Sequence, residues 1–223
     1  MTETSWLAIM AKAPRAGDVK TRLCPPLDPA GAAELARAFL ADAIALAGAL
    51  PARHAMVYAP PESRSLFAAL APGFALVRQR GEDLGARMLH AFEDLLADGS
   101  PAAVLIGSDI PTVPREHLEA ALLRVADADL VLGPSEDGGY YLIGLREPRP
   151  ELFRDMAWST STVLDETVDR ARGLGLEVAL LPSWFDVDTE ADLERLEASL
   201  VAAPGAAHTR AFFAARRAGV TRS

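Results

Sequence analysis

The sequence predicts an α/β fold with a mainly parallel central sheet flanked by helices. Short apolar segments typical of strands alternate along the chain with longer segments of helical periodicity. Some apolar segments, such as AAVLIG at 102–107, are continuous rather than alternating, as expected for strands that are covered on both faces. We therefore expect one layered α/β domain over residues 1–200, followed by a basic C-terminal helix or tail over residues 201–223.

The individual elements follow from the positions of apolar runs, caps and prolines. Asp83 is a predicted N-cap, Pro114 suits the first turn of a helix, and Thr189 with Asp192 has the spacing of a capping box. In chain order, the predicted strands cover residues 6–11, 54–59, 74–79, 102–107, 129–134, 140–145 and 177–182. The predicted helices cover residues 30–50, 62–70, 84–97, 115–126, 162–175 and 189–200.

Composition limits the class of protein. The chain has 223 residues, of which half are hydrophobic, and this suits one sizeable domain. A formal net charge of -9 argues against general nucleic-acid binding. The single cysteine, Cys24, excludes an intrachain disulfide and suits a reducing compartment. The segment MTETSWLAIM lacks a basic lead-in, and the Ala-rich segment carries Glu34, Arg37 and Asp42, so we expect a cytoplasmic protein without a membrane partner. The oligomeric state stays open.

The most unusual segment is KAPRAGDVKTRL, which directly follows the first predicted strand. It collects Lys12, Arg15, Lys20 and Arg22 around Gly17 in an otherwise acidic chain. Ammonium and guanidinium groups at the carboxyl edge of a sheet suit a phosphate chain, although a solvated basic loop would have the same composition. The segment lacks the patterns of a Walker loop and of a dinucleotide-binding loop.

Two acidic positions predict a cation site on the same edge. Asp109 follows the fully apolar strand in LIGSDIP, and Asp186 and Asp188 precede the capping box of the last predicted helix. Magnesium takes one or two carboxylates together with phosphate oxygens, so Asp109 and Asp188 form a candidate pair. Helix or turn capping is the alternative explanation for Asp109.

The segment PSEDGGYYLIGL has two interpretations. Paired glycines beside acids are typical of a hairpin turn. Gly138 and Gly139 would also allow a ligand to approach the backbone, and Glu136 and Asp137 could accept hydrogen bonds from sugar hydroxyls. The sequence leaves both interpretations open.

Taken together, AKAPRAGDVKTRL, LIGSDIP, LGPSEDGGYYLIGL, WST and DVDTEADL resemble a family of bacterial GT-A-type glycosyltransferases, some linked to arsenosugar biosynthesis. The motifs occur in that order between Leu7 and Leu196. The family is in turn similar to nucleotidyltransferases such as phospholactate guanylyltransferase and molybdenum-cofactor guanylyltransferase. The resemblance implies a single-domain nucleotide-diphospho-sugar transferase (GT-A, Rossmann-like) fold with a nucleotide site and a divalent cation.

The resemblance also assigns roles to residues. Lys12, Lys20 and Arg22 match the basic loop of the guanylyltransferase relatives, Asp109 matches their strand-end aspartate, and Asp188 matches their late metal-binding position. We expect Mg²⁺ (or Mn²⁺) on Asp109 and Asp188, where it would stabilise the departing phosphate oxygen. The expected donor-binding set is Lys12, Arg15, Lys20, Arg22, Gly138 and Gly139, and the expected catalytic set is Lys20, Asp109 and Asp137.

Three functions remain open from the sequence. The first is a magnesium-dependent transferase that uses a nucleotide-activated donor, with a sugar nucleotide preferred, and an unknown acceptor. The second is a nucleotidyltransferase that consumes a nucleoside triphosphate and releases pyrophosphate. The third is a non-catalytic nucleotide-binding protein. No separate general base is evident, and Glu136 and Asp137 are the candidates.

Overall fold

A central sheet organises the computed structural model, which describes residues 4–201 and 205–220. Seven strands in these residues form one sheet with the spatial order β3-β2-β1-β4-β6-β5-β7. The strands are β1 (Trp6–Lys12), β2 (Arg53–Ala59), β3 (Ala75–Arg78), β4 (Ala103–Gly107), β5 (Leu130–Pro134), β6 (Tyr140–Leu145) and β7 (Val178–Leu180). The predicted α/β architecture is confirmed.

Helices cover both faces of this sheet. The described part of the chain contains α1 (Pro29–Gly48), α2 (Arg64–Leu70), α3 (Leu84–Leu96), α4 (Arg115–Arg124), α5 (Val163–Gly173), α6 (Glu190–Ser199) and α7 (Ala207–Val220). Short 3₁₀ turns cover Thr21–Leu23, Pro61–Ser63 and Pro150–Leu152. None of the helices in the described residues has the length and apolar character needed to cross a membrane.

The direction of β6 departs from the parallel pattern. β6 is antiparallel to both of its neighbours, β4 and β5, whereas the other neighbouring strands are parallel. A tight turn over residues 135–139 joins β5 to β6, and within it the Ser135 N–H donates to the Gly139 carbonyl at 2.9 Å. A strand that returns through so short a turn must run antiparallel. The hairpin interpretation of PSEDGGYYLIGL is therefore correct.

The core lies on both faces of the sheet, because successive side chains of a strand point to opposite sides. Leu7 and Ile9 of β1 belong to the cluster that packs against α1, α2 and α4. Ala8 of β1 and Leu105 of β4 belong to the opposite cluster, which includes Phe92 of α3. A third cluster joins the 3₁₀ turn after β1 to α1, α6 and α7. Its buried members include Leu23, Phe39, Phe185, Leu196 and Phe213.

The basic C-terminal segment forms α7, which packs against α1. Asp42 of α1 is buried and accepts hydrogen bonds from the backbone N–H groups of His208 and Thr209, at 2.9 and 2.8 Å. The Thr209 hydroxyl donates to the same carboxylate at 2.6 Å. These bonds cap the start of α7 from a neighbouring helix. Residues 202–204 and 221–223 of the predicted C-terminal unit lie outside the described residues.

The topology brings three segments with candidate site residues to one edge of the sheet. β1 and β4 are parallel neighbours with Met10 opposite Gly107, so the loops that follow them begin side by side. The third segment precedes α6, whose capping box is formed by Thr189 and Asp192. The Val187 N–H donates to the Asp109 carbonyl at 3.1 Å and fastens this segment to the loop after β4.

Candidate active site

An ammonium group held between two carboxylates is the central feature of this edge. Lys20 Nζ lies 2.6 Å from Asp109 Oδ2 and 2.7 Å from Asp188 Oδ1. The Lys20 side chain is 6% exposed, whereas each carboxylate side chain is 40% exposed. The three residues come from three separated segments, so the fold itself assembles the cluster.

The backbone around Lys20 directs its side chain inward. Lys20 has a left-handed conformation, with φ 49°, and immediately precedes the 3₁₀ turn Thr21–Leu23. Its carbonyl accepts from the Leu23 N–H at 2.9 Å, and Leu23 is fully buried. A non-glycine residue in this region of backbone space is uncommon and often marks a functional position.

The electrostatics of the cluster favour its fully charged form. Burial acts to lower the pKa of Lys20, but the charges of Asp109 and Asp188 outweigh it and hold that pKa above its ordinary value. Burial likewise acts to raise the pKa of Asp109, but the Lys20 charge and hydrogen bond hold it below its ordinary value. The Ser108 hydroxyl also donates to Asp109 Oδ1, at 2.9 Å.

These residues open into a cavity of about 440 Å³. Lys12, Lys20, Asp109 and Asp188 line its charged side, together with Asp18 and Ser108. Its other walls are apolar and include Met10, Leu84, Met88, Leu105 and Ile143. A cavity of this size, lined by both charged and apolar side chains, suits a small molecule such as a nucleotide.

Lys12 and Lys20 are the two lysines at this cavity. Lys12 Nζ donates to the Asp18 carbonyl at 2.9 Å and is otherwise exposed. Unlike Lys20, it can turn toward a bound anion by giving up a single hydrogen bond to a neutral acceptor. The basic loop after β1 therefore presents one exposed and one enclosed ammonium group to the same space.

The two carboxylates fit one type of cation site. Across residues 4–201 and 205–220, no cluster of three or more His, Cys, Asp or Glu side chains could hold a metal ion. Magnesium sites commonly use only one or two carboxylates and complete the shell with water and substrate phosphates. Asp109 and Asp188 converge on one point and have the chemistry for such a substrate-completed site.

Other acids beside the site have different environments. The Ser135 hydroxyl donates to Asp186 Oδ1 at 2.5 Å. Burial raises the pKa of Asp186, and the charges of Asp137 and Asp188 add to this shift. Glu136 pairs with Arg195 through two short contacts of 2.5 and 2.8 Å, and these hydrogen bonds lower its pKa. A carboxylate held in this way is a weak base, so Glu136 is a poor candidate for that role.

The remaining predicted site residues lie apart from the cavity wall. Arg15 pairs with Glu62 at 3.0 Å and donates to Ser63 at 3.1 Å, and Arg22 is exposed on the 3₁₀ turn. Asp137 accepts from the N–H of Gly139 at 2.9 Å within the turn before β6. None of these residues is among the described residues that line the cavity.

Gly138 has a steric role in the fold. Its φ is +90°, and a Cβ there would lie 2.1 Å from the Ser161 carbonyl oxygen. Its carbonyl accepts from the Leu164 N–H at 2.9 Å. The turn between β5 and β6 therefore lies too close to the chain just before α5 for a side chain at position 138, and glycine permits this close approach. The donor-binding role predicted for Gly138 and Gly139 stays a prediction.

Gln79 is a polar cavity residue for which the sequence patterns predict no role. Gln79 follows β3 and donates from its side-chain amide to the carbonyls of Ala11 and Val57, at 3.2 and 2.8 Å. It is also one of the residues that line the cavity. The sequence feature that could have indicated Gln79 is a polar residue at the carboxyl end of a strand, and the same feature indicates Lys12 and Asp109.

The fold and the relatives of this chain support one class of protein, the nucleotide-using transferases. The Desulfovibrio desulfuricans G20 protein provisionally assigned as a nucleotide-diphospho-sugar transferase has a crystal structure that superposes with a TM-score of 0.87. It is 36% identical in sequence, and the match covers 100% of this chain and 98% of that one. The predicted nucleotide-diphospho-sugar transferase fold is confirmed.

The chain belongs to the family described as "Uncharacterized protein conserved in bacteria (DUF2064)", whose sequence profile matches residues 40–160. It is also similar to the 2-phospho-L-lactate guanylyltransferase of Methanothermobacter thermautotrophicus, with 30% identity over 78% of this chain and 76% of the relative. The 3-phospho-D-glycerate guanylyltransferase of Phenylobacterium zucineum is 34% identical over 70% of this chain and 72% of that protein. These names match the nucleotidyltransferase alternative rather than the arsenosugar-linked glycosyltransferases.

Proposed function

We propose that this protein is a nucleotidyltransferase that moves a guanylyl group from GTP to the phosphate of a small phosphorylated carboxylic acid. The observation that carries the proposal is the convergence of Lys20, Asp109 and Asp188 in the lining of the cavity. The similarity to guanylyltransferases for 2-phospho-L-lactate and 3-phospho-D-glycerate supports the choice of donor and of acceptor class.

The reaction needs a nucleophile, a leaving group and compensation of charge. An oxygen of the acceptor phosphate attacks the α-phosphorus of GTP, and the bond from that phosphorus to the bridging β-oxygen breaks. Pyrophosphate departs with the bonding electrons, and the product contains a new diphosphate linkage. Catalysis of this kind depends on positioning and on electrostatic stabilisation more than on covalent chemistry.

The residues of the site suit these tasks. Lys12 and Lys20 can bind phosphate oxygens of the donor and offset their negative charge. Asp109 and Asp188 would hold a divalent cation, Mg²⁺ or Mn²⁺, which would supply further compensation for charge on the transferring phosphates. The apolar walls formed by Leu84, Met88 and their neighbours offer a surface for the nucleobase.

The ionisation state of the acceptor favours nucleotidyl over glycosyl transfer. A phosphate monoester loses its second proton with a pKa of about 6, so the acceptor oxygen is already ionised at neutral pH. A sugar or alcohol hydroxyl would need a base to remove its proton. Three carboxylates are among the described lining residues: Asp109 and Asp188 are paired with Lys20, and Asp18 lies in the exposed loop before it.

Glycosyl transfer from a sugar nucleotide is the second candidate. The similarity to the Desulfovibrio protein supports this candidate, because the match covers the whole chain and that protein is assigned as a nucleotide-diphospho-sugar transferase. In this reaction Asp137 would be the base, although its carboxylate accepts from the Gly139 N–H within the turn. Asp137 as a catalytic residue stays a prediction.

The reaction products distinguish the two candidate functions. Purified protein is incubated with Mg²⁺, GTP and either 2-phospho-L-lactate or 3-phospho-D-glycerate, and pyrophosphate is measured by a coupled assay. The proposal predicts acceptor-dependent pyrophosphate release. Parallel reactions with guanosine and uridine diphosphate sugars test the second candidate, which predicts release of a nucleoside diphosphate without pyrophosphate.

A matched pair of variants ties the activity to the site. Asp109→Asn is expected to abolish acceptor-dependent pyrophosphate release. Asp94→Asn is the control, because Asp94 forms an ion pair with Arg80 at the surface, at 2.6 Å, outside the cavity lining. Equal loss in both variants, or equal activity in both, would count against the proposed site.

A further inference from the structure

Lys20 fills the point at which the two candidate metal ligands converge. Its Nζ lies within 2.7 Å of an oxygen from each carboxylate, and its side chain is almost fully enclosed. A small space bounded by two carboxylate oxygens can hold an ammonium group or a metal ion. It cannot hold both at once, because the two cations would overlap and repel each other.

We propose that Lys20 is a resident counter-ion, which occupies the cation site in the free protein and leaves it when the phosphates of the nucleotide bind. The inference rests on the proposed function, since it assumes that Asp109 and Asp188 receive a divalent cation. It also predicts the order of binding: the cation binds weakly to the free protein and enters together with the nucleotide.

The charge balance explains the coupling. Without Lys20, the two carboxylates carry two negative charges and would attract a divalent cation directly. With Lys20 in place, one of those charges is neutralised and the converging oxygens are occupied. A triphosphate offers Lys20 several new anionic partners, so the ammonium can leave the carboxylates without being left unpaired.

The surrounding structure permits this exchange. The main-chain position of Asp109 is held by the Val187 N–H, at 3.1 Å, and Asp188 N–H donates to Asp192 Oδ2 at 3.1 Å. The main chains of both residues are thus held by bonds that do not involve Lys20. The loop before Lys20 is exposed at Ala16, Gly17 and Asp18, and Lys20 itself has a long flexible side chain.

The test measures Mn²⁺ binding directly and needs no turnover. Free aqueous Mn²⁺ gives an electron paramagnetic resonance signal that falls on binding, so Mn²⁺ is titrated with wild type, Lys20→Met and Lys12→Met. Each titration is run without nucleotide and with a non-hydrolysable GTP analogue, after subtraction of Mn²⁺ bound by the analogue alone. Lys12→Met removes the same charge from the same cavity without touching either carboxylate.

The inference predicts that Lys20→Met binds Mn²⁺ without nucleotide about tenfold more tightly than wild type, whereas Lys12→Met does not. In wild type the analogue should strengthen Mn²⁺ binding, and in Lys20→Met this coupling should shrink. Adding Asp109→Asn to Lys20→Met should remove the gained affinity and so locate the ion. If circular dichroism shows that Lys20→Met is misfolded, Lys20→Gln replaces it in the same titrations.

Two results would overturn the inference, and they differ in their meaning. Tight Mn²⁺ binding by nucleotide-free wild type, equal to that of Lys20→Met, would refute the counter-ion role while leaving the proposed function intact. If none of the proteins binds Mn²⁺ even with the GTP analogue, the divalent cation of the proposed function is refuted, and the inference fails with it.

Discussion

The backbone N–H of Val187 donates a hydrogen bond to the carbonyl of Asp109, at 3.1 Å. This bond joins the loop after β4 to the segment before α6, two regions far apart in sequence. Since Asp188 directly follows Val187, the bond brings the second carboxylate beside the first. The main chain therefore places the two acidic residues side by side, and Lys20 pairs with the carboxylates of both.

Asp109→Asn should lower the proposed guanylyltransferase activity by about 100-fold or more, because an amide neither carries the charge nor binds a divalent cation comparably. Asp188→Asn should behave similarly. The melting temperature should fall without loss of the fold, since either variant removes one of the two carboxylate partners of the enclosed Lys20 and leaves the other. Initial rates and thermal unfolding of the same preparations, with Asp94→Asn alongside, check both statements. A variant that keeps most of its activity would contradict the role of that carboxylate.

The Lys20 cluster should contribute to stability only within a window of pH. The folded-state pKa of Lys20 lies above its ordinary value of 10.5, so its contribution is complete below that pH and is lost as the pH rises through the folded-state value. The pKa of Asp109 is lowered, so its contribution is present above its ordinary value of 3.8 and is lost as the pH falls further.

Thermal unfolding of wild type and Lys20→Met from pH 3 to pH 11 checks this window. The difference in melting temperature should be constant near neutral pH and should shrink toward both extremes. A difference that grows above pH 10 would contradict the raised pKa of Lys20.

Asp186→Asn should stabilise the protein at neutral pH. The pKa of Asp186 is raised by burial and by neighbouring acids, so its charged form destabilises the fold as the pH rises through that pKa. An asparagine oxygen can still accept from the Ser135 hydroxyl, which lies 2.5 Å away. We expect a gain in melting temperature of about 2–4 °C at pH 7 that diminishes at pH 3 to 4. Destabilisation at both pH values would show that the charge itself is needed.

Gly138→Ala should destabilise the fold by more than the cost of placing an alanine at a positive φ. A Cβ at Gly138 would meet the Ser161 carbonyl oxygen at 2.1 Å. Gly73 has nearly the same φ, +89° against +90°, but a Cβ there would find no atom within 4 Å. We expect a loss of about 1–2 kcal/mol for Gly73→Ala and at least about 1 kcal/mol more for Gly138→Ala. Denaturant unfolding measures both, and equal losses would contradict the clash.

Local patterns predicted much of the fold. The buried parallel strands are short apolar runs, and the capped helix starts at Asp83 and Thr189 have side chains that bond the expected backbone groups. The rule that ligands bind beyond the carboxyl ends of strands indicates Lys12, Lys20, Asp109 and Asp188, and these four residues line one cavity. These features depend on the local sequence of residues and on which edge of the sheet a loop occupies.

Features that depend on distant partners could not be predicted in the same way. An apolar run such as YYLIGL has no direction of its own, so the antiparallel setting of β6 became clear only from its neighbours. Arg15 carries a charge suited to phosphate, yet its partner is Glu62, which is 47 residues away. Lys20 was predicted to bind phosphate, but its enclosure by two carboxylates depends on long-range packing.

The most direct test of the central claim is mass spectrometry of the product formed from GTP and 3-phospho-D-glycerate or 2-phospho-L-lactate with Mg²⁺. The proposed function predicts an acceptor-derived product that has gained one guanylyl group through a diphosphate linkage, with an equal amount of pyrophosphate. An unmodified acceptor, together with a glycosylated product formed from a sugar nucleotide, would contradict the claim and assign the site to sugar transfer.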